Sequence, residues 1–448
     1  MENKYEKSIQ VTRRDDRSWA VVREGNSRAS SLHQTQKSAT VAAKELSQRY
    51  GGSLVIHGRD GRVRFGAKAK VASGGRTVEP EASDKKQAFA KTLGERLTSA
   101  RKMRGFSLRG FAEALNNVSH TTLQKYEKAT APLDTNILGE ICRVLDLRMS
   151  YFLKKPTYSY SQVEWRKSSK IGKKVQQQLE FDALDYFERY LEVERLLGLQ
   201  TEELTVADFS NSPLLELPKK IEALAERLRE KWGLGTNPIP NVHSMLEEHG
   251  FKVRILPSSG GFDGLSSFLA GADFPVPVIA LSDEYWKGNK DLPRFRFTAL
   301  HELGHLVMKL PLALEHRAKE SCCHRFASAF LFPRQQFLSA LGTKRVKIAV
   351  STGTELKATW GMSIAALIRR AKDLEVITEG AYKGFSIWSS KSGFRKREPQ
   401  SWQGYEGSQR FKRLVLQGFN ESIITSSKAA DFLGISLGEL SKEADSLI

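Results

Sequence analysis

Apolar and polar residues alternate in two stretches near the start of this chain, "SWAVVREG" (18–25) and "SLVIHGRDGRVRF" (53–65), and that period of two predicts β-strands. Between them, the alanine-rich "TQKSATVAAKELSQRYG" has helical spacing, with Thr35 or Ser38 near its start. Residues 1–75 therefore read as a small α+β domain. The following "AKAKVASGGRTVEPEASDKK" breaks the pattern with Gly, Ser and charge, which predicts a linker over 76–88.

From 89 to 155 the rhythm becomes that of four or five short helices. Gly105 sits where a helix should end, Ser107 and Ser119 are placed to cap the next two, and Asn116 and Asn117 make the turn between those two. Leu108, Phe111, Ala112, Leu115, Val118, Leu123 and Tyr126 fall where two central helices would close on a shared core, the pattern of a helix-turn-helix. Residues 156–215 read as a charged helical connector, and "QQQLEFDALDYFERYLEVERLLGL" carries apolar residues at helical spacing for packing or dimerisation. Residues 216–398 form the next segment. Within them, "KIAVSTGTELKATWGMSIAALIRRAKDLEVIT" has Ser363 as a helix cap. Residues 399–448 form a tail that ends in a small helical pair. The fold class expected is thus multidomain, mainly α with α+β parts.

Composition sharpens this in three ways. The net charge of +19 is concentrated at the front, with +8 over residues 1–80 and +6 over 81–155, which suits a polyanionic partner such as double-stranded DNA. Three cysteines, Cys142, Cys322 and Cys323, are too few for a disulfide framework and fit a reducing compartment. The N-terminus has no apolar core of a signal peptide and the chain has no run of 18 apolar residues, so the expected location is the cytoplasm, with no membrane partner.

The candidate chemistry lies in "RFRFTALHELGHLVMKL" (294–310). Four residues advance a helix by about 400°, so His301 and His305 face the same way one turn apart, able to reach one ion. Zinc held by two imidazoles and a carboxylate keeps a fourth position for water, and an adjacent carboxylate, here Glu302, can take the proton of that water as a general base. Gly304 weakens a helix by roughly 1 kcal/mol relative to alanine, which predicts a close approach to its backbone. A third ligand must come from elsewhere. The helix "EHRAKESCCHRFASAFLFP" offers Glu315, His316, Glu320, His324 and the cysteine pair, with Glu320, Cys323 and His324 on one face. Tyr285 and His316 are near enough in sequence to be candidate transition-state stabilisers, and the vicinal cysteines admit either a thiol switch on zinc or plain core packing.

Two of these regions resemble known families, and a third resembles a domain without a known role. The blocks "GFSLRGFAEAL" and "VSHTTLQKYE" resemble the Xre/Cro helix-turn-helix family. That resemblance implies a reading helix starting at His120, with His120, Thr121 and Lys125 on base edges and Ser119, Arg109 and Lys128 on phosphates. From "IEALAERLREKWGLG" through "FDGLSSFL", "PVIALS", the HELGH segment and "ESCCHRFASAFLFP" to "WGMSIAALIRRAKDL", the chain resembles the ImmA/IrrE family of zinc metallopeptidases. The resemblance implies Glu320 as third metal ligand, His324 as a substitute ligand or a support for the ligands, and the segment around Ser363 as part of the peptidase domain. The family pattern departs at Cys322, Cys323 and His324, where Glu, Ala and Asn or Asp are usual. Residues 1–75 resemble a small bacterial domain of uncharacterised function, and the turn bearing His57, Arg59 and Arg62 reads as a solvated hairpin tip. Together these imply a DNA-binding regulator with zinc endopeptidase activity on a repressor protein, and a possible homodimer. The competing expectation is a non-proteolytic repressor or antitoxin whose zinc is structural or senses a ligand.

Overall fold

The computed structural model describes residues 8–14, 16, 18–23, 28–50, 52–57, 63–69, 82–147, 149–153, 157–167, 172–199, 203–257, 261–271, 274–287, 291–394 and 397–445. The chain divides into two compact units, residues 1–85 and 86–448, described separately here.

In the first unit, β1 (Ile9–Arg13), β2 (Trp19–Arg23), β3 (Ser31–His33), β4 (Gly52–His57) and β5 (Val63–Ala69) form a sheet in the order β3-β2-β1-β4-β5. β1 runs parallel to β4 and antiparallel to β2, so the helix α1 (Gln36–Tyr50) carries the crossover between two sheet halves. Ile9, Val11, Trp19, Val21 and Leu54 bury one sheet face against Ala39 and Ala43 of α1. Thr35 starts that helix, its hydroxyl accepting the Ser38 N–H at 3.2 Å. His57 ends β4, while Arg59 and Arg62 lie outside the described residues.

The second unit begins with five helices: α2 (Ala82–Met103), α3 (Leu108–Ala114), α4 (His120–Glu127), α5 (Thr135–Leu145) and α6 (Met149–Leu153). α2 starts at Ala82, inside the stretch expected to be linker up to 88, because Asp, Lys, Gln and Ala there are compatible with a helix once Leu97 and Ala100 anchor its far end in the core. The punctuation read from sequence is in place. Gly105 has φ +72°, Ser107 accepts the Gly110 N–H at 3.0 Å, Ser119 accepts the Thr122 N–H at 3.1 Å, and Asn116 takes the left-handed conformation in the turn. Phe111, Leu115, Val118 and Leu123 are buried together. α2 crosses the end of α4 closely: a Cβ on Gly94 would stand 2.5 Å from the Glu127 carbonyl oxygen. Beside that crossing, Arg101 donates to both carboxylate oxygens of Glu127, at 2.6 and 3.0 Å.

The rest of the unit is built on a four-stranded sheet. Its strands are β6 (Ser159–Lys167), β8 (Lys252–Leu256), β9 (Phe262–Ala270) and β10 (Val276–Ser282), in the order β6-β9-β10-β8; β7 (Ala207–Asp208) pairs instead with β11 (Met308–Lys309). β9 is antiparallel to both neighbours, and β8 is parallel to β10. This corrects the reading of 156–215 as purely helical, since its first part supplies the sheet edge next to β9. The long α7 (Lys173–Leu196) that follows is not left over for dimerisation along its apolar stripe. Leu179, Ala183 and Phe187 cover one sheet face, and Tyr190 and Val193 pack on the C-terminal helices.

On the opposite face, α8 (Leu217–Lys231), α9 (Val242–Glu248), α10 (Leu292–Val307) and α11 (His316–Leu331) share a core with α14 (Ile364–Asp373). α12 (Arg334–Leu341), α13 (Val350–Trp360) and α15 (Glu379–Lys391) surround it. Ser363 caps α14 by accepting the Ala366 N–H at 3.2 Å, and Leu367, Ile368 and Ala371 join the main core, as expected for a segment that completes this domain. The tail ends in the expected helical pair, α17 (Ser426–Leu433) and α18 (Leu437–Asp445), and α16 (Arg410–Asn420) precedes it. The tail also reaches into the layer that holds α10. Glu406 is buried, pairs with Arg296 of α10, and accepts the backbone N–H groups of Val242 and His243 at 3.0 Å, which closes the start of α9. None of the helices described is long and apolar enough to cross a membrane.

Candidate metal centre and nucleic-acid interface

α10 starts where Asp291 accepts the Arg294 N–H at 3.3 Å, with Pro293 in the first turn, and ends where the backbone turns extended at Met308. Between those points the helix is almost wholly buried, and His301 and Glu302 have no exposed surface. α11 crosses it at Gly304. A Cβ there would stand 3.3 Å from Cys323 Cα and 3.3 Å from a ring carbon of Phe326. The glycine inside the HELGH segment is thus the point where the backbones of the two helices come together, as its place in the sequence implied.

That crossing brings three potential ligand side chains together as a triangle of residues. His301 Nε2 and His305 Nε2 are 3.2 Å apart, Glu320 Oε2 is 3.2 Å from the former, and Glu320 Oε1 is 3.3 Å from the latter. Among the described residues this is the group of His, Cys, Asp and Glu side chains that converges closely enough to hold an ion. The fit can be tested by size. Zinc–nitrogen and zinc–oxygen bonds of about 2.0–2.1 Å in tetrahedral geometry place neighbouring ligand atoms roughly 3.3–3.4 Å apart. Each of the three separations matches that spacing, with the two histidines facing different oxygens of Glu320, so the donor set suits zinc in size and in chemistry.

The electrostatics agree with a site that attracts positive charge. Burial works against ionisation of Glu320, but His301 and His305 outweigh it and hold the carboxyl well below the usual carboxylate range. Burial likewise disfavours a proton on His305, yet its contacts with Cys323 and Glu320 more than offset this and raise it to about 11. Cys323 is fully buried and touches His305; burial pushes its thiol up, against the pull of His305.

Glu302 points toward β9. Ser266 donates its hydroxyl to Glu302 Oε2 at 2.7 Å, and Gly264 leaves the carboxylate room, since a Cβ there would stand 3.0 Å from Oε1. Neither residue was singled out from sequence, although a glycine and two serines within an otherwise apolar strand signal that something approaches the backbone. His324 lies outside the ligand triangle. Its ring is 4.5 Å from that of His301 and stacks on Phe297 at 5.8 Å, so it backs the His301 imidazole. The Tyr285 hydroxyl donates to Asp263 at 3.2 Å beneath the Arg294 guanidinium, and His316 is exposed at the start of α11. Neither joins the ligand group.

On the reader, Arg109, Ser119, His120, Thr121, Lys125 and Lys128 are all exposed. The last five follow one side of α4 and its N-terminus. Gln124 lies on that same exposed side, one turn beyond His120, and was missed although its spacing alone places it there. The Ser119 hydroxyl is engaged in the cap, bonded also to the hydroxyls of Thr121 and Thr122 at 2.8 Å. A buried pair, Arg96 with Glu188 at 2.6 Å, fastens α2 to α7.

Three segments match family models. Residues 9–66 match an uncharacterised protein conserved in bacteria (DUF2188), residues 97–152 match a helix-turn-helix, and residues 246–372 match the IrrE N-terminal-like domain of the M78 peptidases. The chain therefore joins a DNA-binding type of domain to a metallopeptidase type of domain, with the N-terminal unit in front. The peptidase match spans α10 and α11 and so contains the ligand triangle. No curated protein matches the chain.

Proposed function

We propose that this chain is a DNA-binding regulator that hydrolyses peptide bonds at a zinc centre, cutting a repressor to switch gene expression. The repressor is the chain itself, a neighbouring copy, or a separate regulator. The observation that carries this reading is the convergence of His301, His305 and Glu320, whose nearest nitrogen and oxygen atoms are 3.2–3.3 Å apart, beside the buried carboxylate of Glu302. Zinc held there by His301, His305 and Glu320 would supply Lewis-acid chemistry for the scissile carbonyl and for a water, whose pKa falls toward about 7 on such a metal. The chain's own residues do the rest. Glu302, steadied at one oxygen by Ser266, receives the proton of the attacking water and returns it to the leaving amine. His324 and Phe297 hold the His301 ring in place. On the reader, His120, Thr121 and Lys125 face base edges, and Arg109, Lys128 and the Ser119 end of α4 face phosphates.

Zinc-loaded protein incubated with itself and with candidate repressors tests this. Cleavage is expected, and Glu302→Gln should retain zinc while losing about 10²–10⁴ of the rate, the usual contribution of a positioned base. Uncut substrates throughout, or a Gln variant as fast as the parent, overturn the proposal. The complete burial of His301 and Glu302 favours one other reading, a repressor or antitoxin whose zinc is structural or reports a ligand. In that case DNA binding responds to zinc and no peptide bond is cut.

A further inference from the structure

One strand serves the base of the metal centre. β9 carries Ser266, which donates to Glu302 at 2.7 Å, and Gly264, whose missing side chain leaves room for the same carboxylate. A sheet holds an extended peptide by pairing main chain with main chain along a strand edge. Beside Glu302 that strand is β9, and both of its edges are taken. β10 pairs one side, and β6 pairs the other, antiparallel, from Ser159 opposite Ala270 to Lys167 opposite Phe262. The register sets Glu164 opposite Ser266 and Arg166 opposite Gly264, so β6 runs past the two positions of β9 that meet the base.

The origin and pairing of β6 mark it as an occupant of that edge. It comes from outside the peptidase match, which begins at residue 246, and from the stretch that leads out of the reader. Its register slips twice within nine residues, between Tyr160 and Val163 and between Arg166 and Lys167, and each irregularity interrupts the ladder. The Tyr160 hydroxyl donates to the Glu180 carbonyl at 2.9 Å and the Ser161 hydroxyl to the Phe268 carbonyl at 3.1 Å, while Tyr160 and Val163 pack on the core shared with α7. These contacts hold the first half of β6, and the second half lies opposite Gly264 and Ser266. His301 and Glu302 have no exposed surface, so a substrate reaches them only after something moves.

We propose that β6 is a tethered stand-in for the substrate strand, and that cleavage begins when an extended peptide takes its place on β9. The chemistry of this step rests on the peptidase reading, whereas the strand exchange itself needs no reaction. The substrate class that follows is an unfolded or extended segment, because pairing with β9 requires an open main chain. A tethered strand competes at an effective concentration on the order of millimolar, so a free peptide at micromolar concentration is largely kept out.

The test uses the zinc-loaded full chain carrying Glu302→Gln and a fluorescent synthetic peptide of residues 159–167 with a photoreactive group. Neighbouring positions of an antiparallel pair alternate between those that exchange hydrogen bonds and those that do not, so either Glu164→Pro or Trp165→Pro removes ladder bonds from β6. That variant should bind the peptide at least about tenfold more tightly than the chain without proline, and the cross-link should map to residues 262–270. With Glu302 restored, it should also cut an unfolded protein such as casein about tenfold faster. The chain without proline gives a measurement free of any folding defect, since millimolar peptide should cross-link to β9 there too. Equal binding with and without the prolines overturns the inference, as do cross-links that fall elsewhere or fail to form at any concentration. Peptide binding as expected with no cutting by any form supports the strand exchange and overturns the peptidase reading instead.

Discussion

At the scale of single residues, the site depends on what small side chains leave open. Gly264 gives the Glu302 carboxylate its place, with 3.0 Å between a Cβ there and Oε1. Gly264→Ala should push the carboxylate aside and slow cleavage by tenfold to about a hundredfold, the scale of a misplacement near 1 Å. Zinc content should stay the same, as metal analysis beside a rate assay will report. A second residue controls acid stability. Burial pushes His243 down from 6.5 to about 4, so the unfolded chain binds this proton more readily than the folded one. Stability from this group is complete above about 6.5 and is lost as pH falls toward 4, by up to about 3 kcal/mol. Glu247, 4.0 Å away and raised to about 7 by burial, acts in the opposite sense, its contribution weakening as pH rises from 4.5 toward 7. The two nearly offset each other in the parent, so His243→Gln, which removes the loss and keeps the gain, should rise in melting temperature relative to the parent as pH falls from 7 toward 4. The histidine spacing and Glu302 were legible in sequence because they follow from helix period alone. Gly264, Ser266 and Glu406 were not, because their partners are 36 residues or more away along the chain and only packing unites them.

At the scale of elements, two helix crossings organise the two kinds of domain. α10 meets α11 at Gly304, and α2 meets the end of α4 at Gly94, where a Cβ would stand 2.5 Å from one backbone oxygen and 2.8 Å from another. A backbone oxygen cannot swing away as a flexible side chain does. Gly94→Ala should thus separate α2 from α4, strain the Arg101–Glu127 pair, and destabilise the reader by about 1–3 kcal/mol. Operator binding measured by anisotropy should weaken while zinc-dependent cleavage persists; equal loss of both would mean the two parts fold as one. Caps and turns of the reader were readable because each is a local hydrogen bond. β6 was not, because "SYSQVEWRK" is too polar to announce a strand, and its pairing with β9, joining positions about a hundred residues apart, decides the matter. The third ligand lay between these cases. Helix period put Glu320 on a face with Cys323 and His324, the family resemblance pointed to Glu320 among them, and the physical reason is the crossing at Gly304, which seats Cys323 against α10 while Glu320 meets the imidazoles.

At the scale of the whole molecule, positive charge collects in the first 155 residues, while the ligand triangle lies in the balanced remainder. DNA affinity should therefore fall steeply with salt, and Lys128→Ala should lessen the slope of log K against log salt by about 0.9 for each phosphate contact removed. An unchanged slope would place Lys128 off the DNA. α7 ties the parts of the second unit, with the sheet on one side, the C-terminal helices on another, and the Arg96–Glu188 pair to the reader. The central claim is the coordination sphere, and zinc-edge X-ray absorption of the metal-loaded full chain tests it most directly. The account predicts two imidazole nitrogens and carboxylate oxygen at about 2.0–2.2 Å with no sulfur. A scatterer at about 2.3 Å, the distance of a thiolate, would show Cys323 or Cys322 holding the metal in place of Glu320 and would contradict it.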